Sequence, residues 1–381
     1  MKICFIVDAY YPSIDGAATS IRNFKAELER KGHNVYVICP RYPGYKDTEK
    51  NIIRIRSFKV PKAAGYRLAI PLSTLEKIFK KEKFDLIHLH SFFTLGQKAL
   101  KLTKKYGIPV VGTYHTQFVD YVPGYYKIFS KALQKVAKRV IVNFYGKCDV
   151  TLAPSPQSKK ILEDYGVGSK IVVLPTGIII DQFKGGDGER FKKKYGLKKE
   201  KILLFVGRVG HEKNISFLIK ALKKIIEKQK NVVLAIVGDG VARKSLELLT
   251  KKLGLEGKVL FTGFLDKQNL ADAYAACTIF TFASLTDTQG IVLLEAMSAG
   301  KPVVAIKAHG VIDVLDKEGG GLLAKNNVSD FSEKTLLLLN GKTLYTKKQK
   351  GAKERAKEMS IQNKTKELIA VYNSLMKKKA K

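Results

Sequence analysis

Residues 286–302 read TDTQGIVLLEAMSAGKP and lie between two apolar, β-rich runs, 278–283 and 303–306. The helix formers Leu, Glu, Ala and Met predict a helix over about 290–299, which Gly300 and Pro302 end. A strand, a helix and a second strand in this order are typical of a parallel α/β sheet.

Two carboxylates, Asp287 and Glu295, stand eight positions apart in this stretch. The pattern places Asp287 in the loop before the helix and Glu295 more than one turn inside it. The N–H groups at the start of a helix suit a phosphate, and the flanking carboxylates suit the hydroxyls of a sugar. The alternative is an ordinary core helix with an acidic first turn.

The same alternation of strands and helices fills the rest of the chain. Strands are predicted at 3–7, 35–39, 86–89, 109–112, 150–153, 171–174, 202–206, 232–237, 259–261, 279–282 and 303–306. This rhythm predicts two Rossmann-like, doubly wound parallel-sheet domains that face a central cleft. We place the domains at 1–177 and 178–360, and we expect the helix and basic tail at 361–381 to pack back on the N-terminal domain.

Composition limits the protein class. The chain has 381 residues and a hydrophobic content of 45%, which is ordinary for a globular protein, and no apolar run is long enough for a bilayer span. The N-terminal residues MKICFIVDAYYP predict a first strand and not a signal peptide. The four cysteines are widely spaced, which favours buried free thiols in a reducing compartment over disulfides or a zinc site.

The formal net charge is +35, from 69 Lys and Arg against 34 Asp and Glu. Such an excess favours polyanionic partners, either an anionic membrane surface or a nucleic acid. The basic residues are spread over both halves without one basic block, so a lysine-rich composition of the source organism explains the charge equally well.

Two cations follow the first strand of the second half, in GRVGHEKN at 207–214. Arg208 and Lys213 there suit a diphosphate, although a solvated loop is the alternative. The VGDG run at 237–240 is not a dinucleotide fingerprint, because Arg243 replaces the third glycine of G-x-G-x-x-G. The sequence also contains no P-loop and no D-x-D pair, so neither P-loop phosphoryl transfer nor a metal-bridged diphosphate is predicted.

Three histidines are candidates for the first half of the cleft. His115 follows a strand in GTYHTQF, where a side chain reaches the carboxyl edge of the sheet. His88 and His90 alternate with apolar residues at the end of another strand, so one of them could reach the same edge. A core position is the alternative for each.

Together these motifs resemble one family. The Asp287–Glu295 spacing, GRVGHEKN, VGDGVAR, the TGF at 262–264, the Gly16 loop and the YHT that contains His115 look like a retaining GT-B glycosyltransferase. This is the large family of sucrose-synthase-like and phosphatidylinositol-mannosyltransferase-like enzymes, and the likeness covers essentially the whole chain. HSFFTLGQKAL, YHTQFVDYVPGYY and KCDVTLAPS are most similar to the diacylglycerol glucosyltransferase (monoglucosyldiacylglycerol synthase) group.

The resemblance implies a role for each matching residue. Arg208 and Lys213 would hold the donor diphosphate and stabilise the leaving phosphate. Asp287 would bind hydroxyls of the transferred sugar, Glu295 would bind the ribose, and His115 would contact the sugar near the reacting carbon. Further donor contacts are implied at Gly16, Gly238, Phe264, Gly290 and Ile291. The implied catalytic residues are His115, Arg208, Lys213 and Asp287.

Two positions depart from the family pattern. The family usually has Glu where this chain has Asp287, and two glycines where this chain has Asp15 and Gly16. In a retaining transfer the leaving diphosphate can itself take the acceptor proton, so no nucleophile, cofactor or metal is expected. A double displacement would need a carboxylate near the anomeric carbon, for which Asp120 is a candidate.

A basic amphipathic helix is predicted over about 125–145. Its cations are Lys127, Lys131, Lys135, Lys138 and Arg139, and Ile128, Ala132, Leu133, Val136 and Val140 form a separate apolar stripe. We expect this apolar stripe to pack inward on the sheet while the cations face the headgroups of an anionic membrane.

The combined expectation is a cytoplasmic enzyme at the inner face of the cell membrane that transfers glucose from UDP-glucose to a lipid such as diacylglycerol. The nearest alternative uses GDP-mannose or another nucleotide sugar and acts on a phosphoinositide or a soluble acceptor. A sugar-nucleotide 2-epimerase and a non-catalytic polyanion-binding protein are more distant alternatives. No nucleic-acid partner is expected, because no nucleic-acid motif is visible.

Overall fold

The computed structural model describes residues 1–12, 16–59, 67–70, 72–115, 130–287, 289–315 and 319–379. The chain divides into two compact units. The first contains Met1–Gly177 together with Ile361–Lys381, and the second contains Ile178–Ser360.

The first unit is built on a seven-stranded parallel sheet in the order β3-β2-β1-β6-β7-β8-β9. Its strands are β1 (Lys2–Ile6), β2 (Asn34–Pro40), β3 (Ile52–Ile55), β6 (Leu86–Leu89), β7 (Val110–Thr113), β8 (Val150–Ala153) and β9 (Lys170–Val173). A separate antiparallel ribbon joins β4 (Ser57–Lys59) to β5 (Arg67–Ala69). Because β1 lies between β2 and β6, the loops after β1 and β6 diverge at a topological switch point, where α/β proteins bind ligands.

Six helices are described in this unit. They are α1 (Gly16–Arg30), α2 (Ser73–Glu82), α3 (Thr94–Tyr106), α4 (Ser130–Tyr145), α5 (Pro156–Tyr165) and the last helix of the chain, which is α14 (Ile361–Lys379). Leu368 and Tyr372 of α14 are fully buried in one apolar cluster with Ile21 and Phe24 of α1. The last helix therefore belongs to the core of the first unit.

The second unit repeats this architecture with a six-stranded parallel sheet in the order β12-β11-β10-β13-β14-β15. Its strands are β10 (Lys201–Val206), β11 (Val232–Val237), β12 (Val259–Gly263), β13 (Ile279–Phe282), β14 (Val303–Ile306) and β15 (Gly321–Ala324). Its helices are α6 (Gly188–Lys194), α7 (Ile215–Lys228), α8 (Arg243–Lys252), α9 (Lys267–Ala276), α10 (Ile291–Ser298), α11 (His309–Leu315), α12 (Val328–Asn340) and α13 (Lys342–Glu358). The switch point here lies between β10 and β13.

The inner strands of the second sheet are buried on both faces because helices cover both sides of the sheet. All six residues of β11 are buried, and so are all four of β13 and of β14. Each predicted strand is present to within two residues, which confirms the prediction of two parallel α/β sheets. Strands β3, β4, β5 and β15 were not predicted from the sequence.

The four cysteines are buried and free, as predicted. Cys4 and Cys39 lie in neighbouring strands, and burial raises the pKa of Cys39 to about 12. None of the helices within the described ranges combines the length and apolarity that a membrane span requires.

Candidate active site

The loops after β10 and β13 diverge at the switch point of the second sheet and are held together by side chains. Lys213 ends a short 3₁₀ turn, and its Nζ lies 2.6 and 2.9 Å from the two carboxylate oxygens of Asp287. Ser284 donates to the carbonyl of Glu212 at 3.3 Å, and Asn214 donates to the carbonyl of Ala283 at 3.4 Å. The predicted phosphate-binding lysine and the predicted sugar-binding aspartate are therefore direct neighbours.

The Lys213–Asp287 pair is mostly shielded from solvent. The two side chains are 17% and 18% exposed, which strengthens their attraction relative to a surface pair. An ammonium group has three N–H donors, so Lys213 can keep a bond to Asp287 and still donate to a phosphate oxygen.

Arg208 lies in the same loop and is held by a carboxylate that the sequence analysis did not single out. Its Nε and Nη2 donate to Oε1 of Glu212 at 3.1 and 2.7 Å. This pair has the i,i+4 spacing, which could have been read from GRVGHEKN. The guanidinium is more than half exposed, so it can reach an incoming anion with little rearrangement.

The loops after β10 and β11 meet backbone to backbone. The amide of Val209 donates to the carbonyl of Asp239 at 2.9 Å. Gly238 has a φ of +125°, and a Cβ at this position would lie 2.0 Å from the carbonyl oxygen of Gly207. Only glycine fits there, so the VGDG turn brings the two strand ends together.

Helix α10 begins after Gly290, whose φ of +64° is in the left-handed region. The predicted helix over 290–299 is thus confirmed, shortened by one residue at each end. Asp287 lies in the loop before it, and Glu295 is inside it. The peptide N–H groups at Gly290 and Ile291 therefore stand at the start of a helix, where its dipole favours an anion.

Glu295 is held by a tyrosine that the sequence analysis did not identify. The hydroxyl of Tyr274, a fully buried residue of α9, donates to Oε2 of Glu295 at 2.8 Å. Burial raises the pKa of Glu295, and the hydrogen bond from Tyr274 opposes that rise. Twenty-one residues separate the two in the chain, so sequence spacing gave no signal for this contact.

Phe264 follows β12, and 79% of its side chain is exposed. An aromatic ring left in solvent at a strand end offers a stacking surface. Phe264 therefore differs from the four charged candidates of this unit, whose side chains are held by ion pairs or hydrogen bonds: Arg208, Lys213, Asp287 and Glu295.

The first unit holds the other group of predicted residues. His115 lies two residues after β7, and its Nε2 is 2.9 Å from Nδ1 of His90. His88 is buried between Tyr372 and Thr113. Its Nδ1 lies 2.6 Å from the hydroxyl of Tyr372, and its Nε2 lies 2.6 Å from the hydroxyl of Thr113. Gly16 is the exposed first residue of α1, and its neighbour Asp15 lies outside the described residues, as does Asp120.

Burial sets the charge of these histidines. It lowers the pKa of His115 to about 4 and holds the pKa values of His88 and His90 well below the ordinary range. All three rings are therefore neutral near pH 7, and His115 can act as a neutral donor or acceptor but not as a cation.

The inward orientation predicted for the apolar stripe of the basic helix was wrong. Leu133, Val136 and Val140 are exposed on α4, whereas Ala137 and Ile141 are buried. Phe144 and Tyr145 are buried as well, and a contiguous face that ends in two aromatic rings buries more apolar area than the predicted stripe.

The predicted cations of this helix are only partly described. Lys135, Lys138 and Arg139 are exposed beside the apolar stripe of α4. Lys127 lies outside the described residues, and so does the side chain of Lys131. Among the described side chains, no cluster of His, Cys, Asp and Glu has a geometry that could hold a metal ion.

Comparison with known proteins covers nearly the whole chain. A family model described as glycosyltransferase family 4 matches residues 14–182, and one described as glycosyl transferases group 1 matches residues 187–359. The alpha-monoglucosyldiacylglycerol synthase of Streptococcus pneumoniae is 32% identical over 81% of this chain and 71% of its own length.

Further relatives include a second synthase of the same name and a mannosyltransferase. The alpha-monoglucosyldiacylglycerol synthase of Acholeplasma laidlawii is 28% identical over 84% of this chain and 83% of its own. A GDP-mannose-dependent alpha-mannosyltransferase of Corynebacterium glutamicum is 27% identical over 87% of this chain and 78% of its own.

Solved structures share the fold at low sequence identity. Sucrose-phosphate synthase from Thermosynechococcus elongatus has a TM-score of 0.82 and 20% identity, with 98% of both chains covered. HepE from Anabaena, in complex with UDP and glucose, has a TM-score of 0.80 and 19% identity over 98% of this chain and all of that one.

Proposed function

Because the chain belongs to the glycosyl transferases group 1 family and has the GT-B fold, we propose that it transfers glucose from UDP-glucose to a membrane lipid such as diacylglycerol, with retention of configuration. The family is one of glycosyltransferases, which favours transfer over the 2-epimerase and over the non-catalytic alternative. The observation that carries the proposal is the meeting of Lys213, Asp287 and the start of α10 at one switch point.

The second unit would bind the donor. Lys213 and Arg208 supply cations on one loop, and the N–H groups of Gly290 and Ile291 supply further donors on the other. Such groups together suit a diphosphate, which carries charge on several oxygens. Asp287, next to Lys213, would accept from the hydroxyls of the sugar.

The nucleoside would lie along the same edge of the sheet. Glu295, fixed by Tyr274, would accept from the ribose hydroxyls. The exposed ring of Phe264 and the turn at Gly238 offer a surface for the base at the ends of β11 and β12.

The transfer itself would need charge stabilisation more than a protein nucleophile. The bond from the anomeric carbon to the phosphate oxygen breaks, and a bond to the acceptor oxygen forms on the same face of the sugar. The acceptor proton passes to the leaving phosphate oxygen. Arg208 and Lys213 would stabilise the negative charge that develops on the diphosphate. The proposed mechanism uses no metal ion or cofactor.

A lipid acceptor is supported by α4 and by the names of two relatives. Val136 is 58% exposed on a helix that also presents Lys135, Lys138 and Arg139. Apolar side chains beside cations suit the interface of an anionic membrane, so we propose peripheral association through this helix. The two relatives named as monoglucosyldiacylglycerol synthases point to the same class of acceptor.

One specific comparison favours a second donor. The mannosyltransferase relative is named for GDP-mannose, and it matches more of this chain than the pneumococcal synthase does. Transfer of mannose from GDP-mannose, to a lipid or to a soluble acceptor, is therefore the alternative.

A donor screen tests the proposal. Purified protein is incubated with UDP-glucose or GDP-mannose and with phosphatidylglycerol vesicles that contain diacylglycerol, and extracted lipids are analysed by mass spectrometry. We expect glucosyl-diacylglycerol from UDP-glucose, and far less of it from the Lys213→Met variant in the same reaction time. A mannosylated product establishes the alternative donor, and the absence of any glycolipid with either donor refutes the lipid acceptor.

A further inference from the structure

The three histidines of the first unit form one stacked group. His88 and His90 stack with ring centroids 4.0 Å apart, and His90 and His115 stack at 5.2 Å. Phe5 of β1 packs edge-on against both His88 and His90, at 5.3 and 4.7 Å. His90 is thus fixed between two other imidazole rings.

His88 is anchored at both ring nitrogens. Nδ1 lies 2.6 Å from the hydroxyl of Tyr372 in α14, and Nε2 lies 2.6 Å from the hydroxyl of Thr113 at the end of β7. Tyr372 is fully buried. His88 is therefore held at both ring nitrogens, and His90 stacks on a ring that is itself anchored.

His90 has one satisfied and one unsatisfied nitrogen. Its Nδ1 is hydrogen-bonded to Nε2 of His115 at 2.9 Å. Its Nε2 is buried and has no hydrogen-bond partner among the residues that the structure describes. A buried polar nitrogen left in this state is costly, so a partner is expected there.

A small cavity is lined in part by His90. Its volume is about 10 Å³, close to the space that one water molecule needs. Its polar lining includes the histidines and the hydroxyls of Ser20 and Thr176, which are 3.2 Å apart. Ser20 belongs to α1 and Thr176 follows β9, so the cavity lies where several elements of this unit converge.

We propose that His90 is a positioning residue for His115 and that one buried water in this cavity links His90 Nε2 to the Ser20–Thr176 hydroxyl pair. A neutral imidazole carries a single N–H, so the hydrogen bond between the rings requires complementary tautomers. If His115 donates through Nε2, His90 carries its proton on Nε2 and donates to the water. If His90 donates through Nδ1, its Nε2 accepts from the water.

The consequence is that the tautomer of His115 is coupled to that of His90, because only one of the two facing nitrogens can carry the proton. The importance of this for catalysis rests on the proposed function and on the role that the family resemblance implies for His115, which is contact with the transferred sugar. A fixed tautomer presents that sugar with a defined donor or acceptor, whereas a free ring would present a mixture.

Three substitutions of His90 separate the two contacts. His90→Asn keeps an amide near the position of Nδ1, so it can still bond to His115. His90→Gln extends an amide toward the position of Nε2, so it can still reach the water. His90→Phe keeps an aromatic ring in the stack and removes both contacts.

The readouts are the ring ¹⁵N chemical shifts of His115, kcat and KM with the active donor, and the affinity for UDP. In the wild type we expect His115 as a single tautomer. In His90→Phe and His90→Gln we expect a mixture of His115 tautomers and a roughly tenfold loss of kcat. In His90→Asn we expect kcat to lie within about threefold of the wild-type value. The affinity for UDP should be unchanged in all three variants. Unchanged His115 shifts and unchanged kcat in His90→Phe refute the positioning role.

Two further results would refute parts of the proposal. If His90→Phe does not fold, as judged by circular dichroism, then the contrast between His90→Asn and His90→Gln decides, and equal His115 spectra for these two refute the role. A high-resolution crystal structure with an empty cavity refutes the water. The ¹⁵N spectra need no turnover, so they remain decisive even if the protein proves inactive with every donor tested.

Discussion

The ammonium nitrogen of Lys213 lies 2.6 Å from one carboxylate oxygen of Asp287 and 2.9 Å from the other, and this ion pair joins the two loops that diverge at the switch point of the second sheet. It places a cation for phosphate next to an acceptor for sugar hydroxyls. Removal of either partner leaves the other as a shielded, uncompensated charge.

Lys213→Met should lower kcat/KM by about 100-fold or more, because it removes a cation that we propose acts on the leaving phosphate. The measurement is release of the nucleoside diphosphate at varied donor concentration. Lys220→Met, at an exposed position of α7, is the matched control and should retain wild-type rates. A Lys213→Met rate within threefold of wild type would contradict the proposed role.

Asp287→Glu restores the side chain that the family usually has at this position. It should leave UDP affinity within about threefold, because the proposed role of Asp287 concerns the sugar and not the nucleotide, and it should change the rate or the preference among hexose donors. Calorimetry with UDP and a donor panel test these two expectations. A loss of UDP affinity of tenfold or more would show that the role is misassigned.

Tyr274→Phe should weaken UDP binding about fivefold at neutral pH, which corresponds to one hydrogen bond of about 1 kcal/mol. Burial raises the pKa of Glu295 and the bond from Tyr274 lowers it, so the variant should raise that pKa further. Protonation of Glu295 should then weaken UDP binding at a higher pH than in the wild type. Titration of UDP affinity from pH 5 to 8 tests this, and coincident profiles would exclude a role for the ionised carboxylate.

Val136→Ser should reduce binding to phosphatidylglycerol vesicles several-fold, because it removes an exposed apolar side chain from the proposed membrane face. Leu337→Ser is the matched control, since Leu337 of α12 is also 58% exposed. Lys135→Gln should weaken binding by about 1 kcal/mol at low salt and by less at high salt. Vesicle sedimentation measures all three, and equal effects of the Val136 and Leu337 substitutions would argue against α4 as the contact.

Asp272→Asn should destabilise the second unit in a pH-dependent way. The Arg190 guanidinium holds the pKa of Asp272 at about 2, below the ordinary 3.8, although Asp272 itself is almost fully buried. The lowered pKa stabilises the fold above about pH 4, and the effect is lost as the pH falls toward 2.

We expect Asp272→Asn to lower the free energy of unfolding by about 1 to 2 kcal/mol at pH 7. This is less than the full pKa shift of Asp272 corresponds to, because Arg190 is half exposed. Urea unfolding at pH 7 and at pH 3 measures it. Asp164→Asn, in an exposed i,i+4 pair with Lys160, is the control and should cost almost nothing. A pH-independent difference for Asp272→Asn would show that packing and not charge is responsible.

The sequence predicted the sheets well because their strands are buried on both faces. Runs such as 232–237 and 303–306 are continuously apolar and are bounded by turn residues, which is a strong signal. The sequence signal for strand β3 is weak, because three of its four residues are only partly buried and one of these is Arg54. The ribbon of β4 and β5 has three residues in each strand, too few for a pattern.

The candidate site was predicted at the level of single residues but not of their partners. Lys213 and Asp287 could each be placed at a strand end, yet their contact spans 74 positions and required the fold. The same holds for Tyr274 with Glu295 and for His90 with His115. On α4, the stripe that contains Leu133 and Val136 was predicted to pack inward, whereas Ala137 and Ile141 are the buried residues. Periodicity alone does not tell which face packs on the sheet, because that depends on the shape of the surface below.

The discontinuity of the first unit bears on how the protein is made. Its core needs Leu368 and Tyr372, which are synthesised only after the entire second unit. During translation, α14 therefore cannot cover the α1 surface around Ile21 and Phe24 until this last helix has left the ribosome. The second unit is continuous and is fully synthesised before α14, so its core can close before that of the first unit does.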